Sequence, residues 1–276
     1  MNKTIQPVRA PDLRKMKQRG EKIAMLTAYD VTMARLLDRA GIDVLLVGDS
    51  LGMVMLGYET TVPVTLDAMV HHSAAVARGV QRALVVADMP FMTYQTSVSD
   101  AMANAARLIQ AGGAAAVKIE GGHAVLEVAQ RLVDAGIPVM GHLGLTPQSV
   151  HQLGGFRKQA KRPRDAARLL ADARALQAAG VFAIVLESIP EDLAAEVSAE
   201  LEIPTIGIGA GPHCDGQVLV SHDAFGLFDE FVPSFVKQYA QLGKQMTEAA
   251  ESYAREVRDG VYPAAKKQRS RDSIPQ

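Results

Sequence analysis

The chain has 276 residues, 48% of them hydrophobic, with 29 Lys and Arg against 30 Asp and Glu and a formal net charge of −1. That length suits one α/β barrel or two smaller domains, and the balanced charge points away from a nucleic-acid groove or a basic membrane face. Small neutral or anionic metabolites remain open as ligands. The single cysteine, Cys214, has no partner for an internal disulfide, the start MNKTIQPVRA lacks the apolar stretch of a signal peptide, and no apolar run approaches the roughly 20 residues of a membrane-spanning helix. A cytoplasmic setting is expected.

In chain order, residues 1–22 hold a basic, helix-like PDLRKMKQRGEK and read as an extension ahead of the main repeat. IAMLT (23–27) is the first strand-like run, and the helical MARLLDRAG after it stops at Gly41, where a glycine ends a helix without steric cost. VLLVG (44–48) leads into a long glycine-containing loop and a helix opening near Thr65; ALVVAD (83–88) leads into a helix from about Ser97 to Ala111. AAVKIE (115–120) is followed by a helix to about Ala135, and PVMGH (138–142) by a polar loop. A helix from about Pro163 to Ala179 precedes FAIVLE (182–187), and a shorter one precedes PTIGIG (204–209) and QVLVS (217–221). The region 232–259 reads as helical surface able to pack on the barrel or on another subunit, and the charged tail 261–276 is expected to be disordered.

These runs are almost continuously apolar, as strands of a parallel sheet covered by helices or closed on itself must be. An "AG" precedes several of them (RAGIDV, QAGGAAAV, DAGIPV, AAGVFAI), which is one unit repeated and argues for a single domain over 23–260. Eight such units predict a (β/α)8 barrel. An open doubly wound sheet is the alternative, but no GxGxxG follows the first strand.

Four runs end in a carboxylate: Asp49, Asp88, Glu120 and Glu187. Any one of these acids reads most simply as a cap for the next helix. Together, at the strand ends where barrels carry their chemistry, they suggest more, because buried charge must be paired or coordinated. By residue parity Asp49 goes with Val47, Asp88 with Val86, Glu120 with Lys118 and Glu187 with Val185. Asp49, Asp88 and Glu120, from neighbouring strands, are expected to converge as oxygen ligands of a hard divalent ion such as Mg²⁺. Lys118 could neutralise the acids, bind a substrate carboxylate or form an imine; beside carboxylates it keeps its charge, which favours the electrostatic roles. Glu187, on the sixth strand, is free to act as a base. His142 could orient the ligands or carry a proton, or be a satisfied rim residue. Ser50, directly after Asp49, could meet an anionic substrate. GIGAG (207–211) is either a phosphate turn or a plain tight turn, and adjacent His71 and His72 read as solvated or packing residues.

The segments VGDSLGMVMLGYETTVPVTLDAM (47–69), ADMPFMTYQTS (87–97), VKIEGG (117–122), GHLGLTPQSV (141–150), VLESIP (185–190) and PTIGIGAGPHCDGQVLV (204–220) resemble the ketopantoate hydroxymethyltransferase family. The resemblance implies a barrel of the phosphoenolpyruvate-utilising type, a homodecamer and a step of pantothenate biosynthesis. That step transfers a hydroxymethyl group from 5,10-methylenetetrahydrofolate to 3-methyl-2-oxobutanoate. It also implies Mg²⁺ on Asp49, Asp88 and Glu120, substrate contacts from Asp49, Ser50, Asp88 and Lys118, and Glu187 as the base. One stretch departs: GGFRKQAK (154–161) stands where the family has Gly-Gly-Tyr-Lys-Val-Gln-Gly, so that Phe156 lacks a hydroxyl and Ala160 replaces a glycine. Three other readings compete: a metal-dependent lyase of the phosphoenolpyruvate mutase/isocitrate lyase group, a Schiff-base aldolase using Lys118, and a non-catalytic barrel scaffold.

Overall fold

Eight parallel strands close on themselves in sequence order in this computed structural model, which describes residues 6–228 and 231–264. They are β1 (Ile23–Thr27), β2 (Val44–Val47), β3 (Leu84–Asp88), β4 (Ala116–Glu120), β5 (Val139–Gly144), β6 (Ala183–Glu187), β7 (Thr205–Ile208) and β8 (Gly216–Leu219). The predicted (β/α)8 barrel is therefore present. Packing divides the chain into two units: a barrel unit that runs to Ser221 and takes in Pro233–Val236, and a smaller unit formed by His222–Val232 and the chain from Lys237 onward.

In β2, β3 and β4 every residue is buried, because helices cover the outer face while side chains fill the inner one. The inward set includes Met25, Val44, Leu46, Val86, Met140 and Val185, and Ala10 and Leu13 of the helix Ala10–Gln18 join the same cluster. That helix is tied to the N-terminal end of the strands, where Val8 N–H donates to the Arg82 carbonyl at 2.7 Å. The barrel is thus a filled core, and its polar residues gather at the opposite, C-terminal end.

Helix starts are capped by residues other than the four strand-end acids. Asp30 accepts from the N–H groups of Thr32 (2.7 Å) and Met33 (2.9 Å), Thr65 from Ala68 (3.2 Å) and Ser97 from Asp100 (3.0 Å). Asp49, Asp88, Glu120 and Glu187 make no such cap, so their placement needs another explanation.

In the smaller unit the helix spans Leu242–Arg258, ten residues short of the start expected for a helical 232–259. Pro233, which lacks an N–H, opens a turn closed by Val236 N–H on the Pro233 carbonyl at 2.9 Å. Most of the expected tail, residues 265–276, lies outside the described residues. No described helix is long and apolar enough to cross a membrane.

Candidate functional site

Strand register brings the polar side chains together. Asp88 pairs with Lys118 across β3 and β4, and Glu120 pairs with His142 across β4 and β5. Partners in parallel strands point to the same side, and Val86, Ala116, Met140 and Val185, two residues before or on the same parity, all face the interior. Asp88, Lys118, Glu120, His142 and Glu187 therefore project into the C-terminal mouth.

Asp49 arrives by a different route. Its parity partner Val47 is absent from the interior cluster, whereas Val44 and Leu46 belong to it, so strand alternation alone would turn Asp49 outward. β2 instead ends at Val47, and the chain turns through Gly48 into the short helix Leu51–Val54. A side chain on Gly48 would meet Ser50 Oγ at 2.8 Å and Asp88 Oδ2 at 3.5 Å, which explains the glycine and places Ser50 beside Asp88. The Asp49 N–H donates to Asp88 Oδ2 at 3.0 Å, and Ser50 Oγ lies 2.9 Å from Tyr29 Oη.

Glu187 owes its position partly to Gly144, its register partner on β5. Gly144 has φ +95°, and a Cβ there would fall 2.2 Å from the Glu187 carbonyl oxygen. Gly144→Ala is expected to lower stability by more than about 1 kcal/mol through strain and clash, read as a reduced urea midpoint.

At the centre, Lys118 Nζ stands 2.9 Å from Asp88 Oδ1, 3.6 Å from Glu120 Oε1 and 3.2 Å from His142 Nδ1. His142 bridges two acids, with Nδ1 3.2 Å from Glu120 Oε1 and Nε2 3.2 Å from Glu187 Oε2, the latter off the line of a good hydrogen bond. Burial and Lys118 push the imidazole pKa down, and the carboxylates of Glu120 and Glu187 more than offset them, lifting it to about 9. His142 is therefore an imidazolium at neutral pH and donates from Nδ1 to Glu120, while Lys118 turns to Asp88. Burial likewise opposes the Lys118 charge, but Asp88, Glu120 and Asp49 raise its pKa above the ordinary lysine range. Burial, then the charges of Asp88 and Glu120, raise Asp49 well above the carboxylate range; burial raises Asp88 despite Lys118. For Glu120 burial is outweighed by Lys118 and His142, and its pKa is lowered.

This donor set suits a hard divalent cation. Three carboxylates repel one another around a single ammonium, and Asp88 Oδ1 is buried without a well-directed hydrogen bond. Among the described residues no group of three or more His, Cys, Asp or Glu side chains is placed so as to hold a metal ion. Glu120 is one reason: Oε1 faces His142 and Lys118, and Oε2 accepts the Gln148 N–H at 3.0 Å. Asp49 and Asp88 keep the freer lone pairs, and an ion such as magnesium retains several waters.

The family model for ketopantoate hydroxymethyltransferase matches residues 7–265. The chain belongs to the ketopantoate hydroxymethyltransferase family. Among its relatives, the 3-methyl-2-oxobutanoate hydroxymethyltransferase of Moorella thermoacetica is 61% identical over 256 residues, covering 93% of this chain and 95% of the relative. The enzyme of the same name from Thermoanaerobacter sp. strain X514 is 56% identical over 251 residues, covering 91% and 92%. Solved structures share the fold: 2,3-dimethylmalate lyase superposes with a TM-score of 0.60 at 18% identity over 94% of this chain and 90% of that one. Phosphonopyruvate hydrolase in complex with oxalate and Mg²⁺ gives 0.61 at 13% identity over 92% and 88%. The barrel fold of this chain is thus also that of 2,3-dimethylmalate lyase, a member of the PEP mutase/isocitrate lyase superfamily.

In this ketopantoate hydroxymethyltransferase chain, sequence reasoning missed two buried residues that lock the site. Gln148 Nε2 donates to Asp49 Oδ2 (2.8 Å) and to the Met89 carbonyl (2.9 Å), and Gln148 Oε1 accepts from Tyr94 Oη (2.8 Å). Tyr94 Oη also accepts the Glu120 N–H at 3.0 Å. Both lie within the segments that carry the family resemblance, Tyr94 on a loop and Gln148 in the single 3-10 turn Pro147–Ser149, where no periodicity marks a side chain as inward. The altered loop shows its own strain: Ala160 has φ +52°, a conformation that suits the glycine expected there. Ala160→Gly is expected to leave stability unchanged or raise it by up to about 1 kcal/mol, measured by urea unfolding, because relief of strain opposes the added chain entropy.

Proposed function

We propose that this protein transfers a hydroxymethyl group from 5,10-methylenetetrahydrofolate to 3-methyl-2-oxobutanoate, giving 2-dehydropantoate in cytoplasmic pantothenate biosynthesis. The observation that carries the reading is the exposure of Glu187. Its side chain is 16% exposed, against 4% for Glu120 and 4% for Asp88, so among these acids it is the one presented to an entering substrate.

Glu187 takes the proton from C3 of the 2-oxo acid. Water releases the one-carbon unit at the aldehyde level as both of its bonds to folate nitrogen break and the two protons of that water pass to those nitrogens. The enolate carbon attacks the aldehyde carbon, and the new hydroxyl takes up the proton that Glu187 removed. His142 stands beside Glu187 as a cation and steadies its carboxylate. Lys118, with Asp49, Ser50 and Asp88 around it, holds the substrate's oxygens and fixes the orientation of C3 toward Glu187. Mg²⁺, which Asp49, Asp88 and Glu120 would hold, supplies Lewis-acid stabilisation of the charge that develops on the substrate's oxygens. The raised Lys118 pKa speaks against an imine, which needs a neutral amine.

A homodecameric assembly belongs to the same reading. It is supported by the helix Leu242–Arg258, which buries none of its residues within one chain and exposes Met246, Tyr253 and Val257. Sedimentation gives the assembly size directly.

The test of the activity is proton NMR of 3-methyl-2-oxobutanoate in D₂O. Exchange at C3 that appears with Mg²⁺, without folate, and conversion to the hydroxymethylated product on adding the folate are the expected results. No exchange by folded, magnesium-loaded protein would overturn the reading.

A further inference from the structure

Gln148, uncharged and 4% exposed, is bonded to the ends of three strands that carry the acids. Its backbone N–H donates to Glu120 Oε2 at 3.0 Å, and its Nε2 donates to Asp49 Oδ2 at 2.8 Å and to the Met89 carbonyl at 2.9 Å. A carbonyl only accepts, so Met89 fixes the amide nitrogen on that side. On the other side Oε1 takes the Tyr94 O–H at 2.8 Å and Gln95 Nε2 at 3.3 Å. Tyr94 is 1% exposed, and its Oη accepts the Glu120 N–H at 3.0 Å, so its single proton is free to go to Gln148. Both amide protons and the amide oxygen are therefore in use, which holds the side chain in one orientation.

This orientation restricts what each acid can offer. Asp49 Oδ2 is held by Gln148, while Asp49 Oδ1 has no hydrogen bond among the described residues. Glu120 Oε2 is held by the Gln148 N–H, and Asp88 Oδ2 by the Asp49 N–H. A cation arriving at the cluster meets one oxygen of Asp49, and meets both only if the Gln148 amide lets go. Cations differ in how much that matters. Ca²⁺ takes about six to eight oxygens and often both oxygens of one carboxylate, whereas Mg²⁺ takes single carboxylate oxygens in a tight octahedron and keeps several waters.

We infer that Gln148 is the residue that selects the cation: by holding Asp49 Oδ2 and Glu120 Oε2 at once, it limits both acids to one-oxygen ligation and so favours Mg²⁺ over Ca²⁺. The inference rests on the metal reading above and names what would discriminate between ions there. It also accounts for an acid cluster that forms no ready-made metal group, since acids offering one oxygen each leave the rest of a shell to water and substrate. The competing role is a plain pin between the loops after β3 and β5. Removing a pin weakens every cation alike. So does withdrawing the hydrogen bond that opposes the rise burial imposes on the Asp49 carboxyl. The ratio between two cations is what one-oxygen ligation moves and a pin does not.

The experiment adds Mn²⁺ to metal-stripped protein without substrate, follows free Mn²⁺ by its EPR signal, and displaces the bound ion with Mg²⁺ or with Ca²⁺. The proteins are wild type and Gln148→Met, which keeps the length of the side chain and loses its donors and acceptor. In wild type Mg²⁺ is expected to displace Mn²⁺ at a concentration at least about tenfold below that of Ca²⁺, and in the variant this ratio is expected to fall by about tenfold. Should Gln148→Met fail to fold, Tyr94→Phe removes the O–H that holds Oε1 and spares both Gln148 side-chain donors. The amide is then free to turn, and the ratio is expected to fall by about threefold. A ratio unchanged in the folded variant, or no preference for Mg²⁺ in wild type, overturns the inference and leaves the metal reading standing. Wild type that binds no Mn²⁺ overturns the metal reading and this inference with it.

Discussion

Glu187→Gln is expected to slow magnesium-dependent exchange of the C3 proton of 3-methyl-2-oxobutanoate by about 10³-fold. The substitution keeps size and shape, and Gly144 still has room for the strand end it abuts. What it removes is the ability to accept a proton. The other acids cannot substitute for it. Glu120 is engaged by Lys118, His142 and the Gln148 N–H, Asp88 by Lys118 and the Asp49 N–H, and Asp49 by Gln148. Substrate binding depends on Lys118 and its neighbours, so affinity for the 2-oxo acid and for magnesium should change by less than about tenfold. Loss of exchange with intact binding, the first read by NMR and the second by calorimetry, assigns the base. Exchange near the wild-type rate would place the proton acceptor elsewhere and remove the central step of the proposed reaction.

The barrel was legible because its strands are buried on both faces. VLLV and the LVVA of LVVAD are apolar without alternation, AVKIE is fully buried although Lys118 and Glu120 alternate with apolar residues, and the observed strands start and stop within two residues of the runs read from sequence. The acids were legible for the same reason: a carboxylate that ends such a run has no place to go but the mouth. The inference from parity failed at Asp49, since the turn through Gly48, not strand alternation, brings that side chain in. His142 was ambiguous as a lone histidine and becomes specific only through register. It pairs with Glu120 and sits on the strand between Glu120 and Glu187, so it spans a gap that two acids on β4 and β6 could not close themselves. Gln148 and Tyr94 stayed hidden because side chains on a single 3-10 turn or a loop show no period. The segment 232–241 read as helix from its composition, and Pro233 and the turn it opens override that preference.

Removal of the central cation is the sharpest test of how the cluster is balanced. Lys118→Met keeps a long flexible side chain in the same space and takes away the charge. In magnesium-free protein the variant is expected to lose about 3–5 kcal/mol, the usual result of leaving buried charge without its partner. The loss should depend on pH with a definite sign. Lys118 lowers the pKa of Asp49, Asp88 and Glu120, so without it all three move upward in the folded state. A carboxyl whose folded pKa exceeds its unfolded value stabilises the fold while it is protonated. That contribution is whole below the unfolded value of about 4 and is lost as pH rises through the raised one. Urea midpoints of the variant should therefore fall with rising pH more steeply than those of wild type. Magnesium should reverse more of the loss in the variant than it adds to wild type, because a cation that binds only the folded state stabilises most where the site is most negative. A variant that unfolds at the wild-type midpoint at alkaline pH without magnesium would show that Lys118 does not compensate these acids, and its assignment as the group that holds the substrate's oxygens would lose its electrostatic basis.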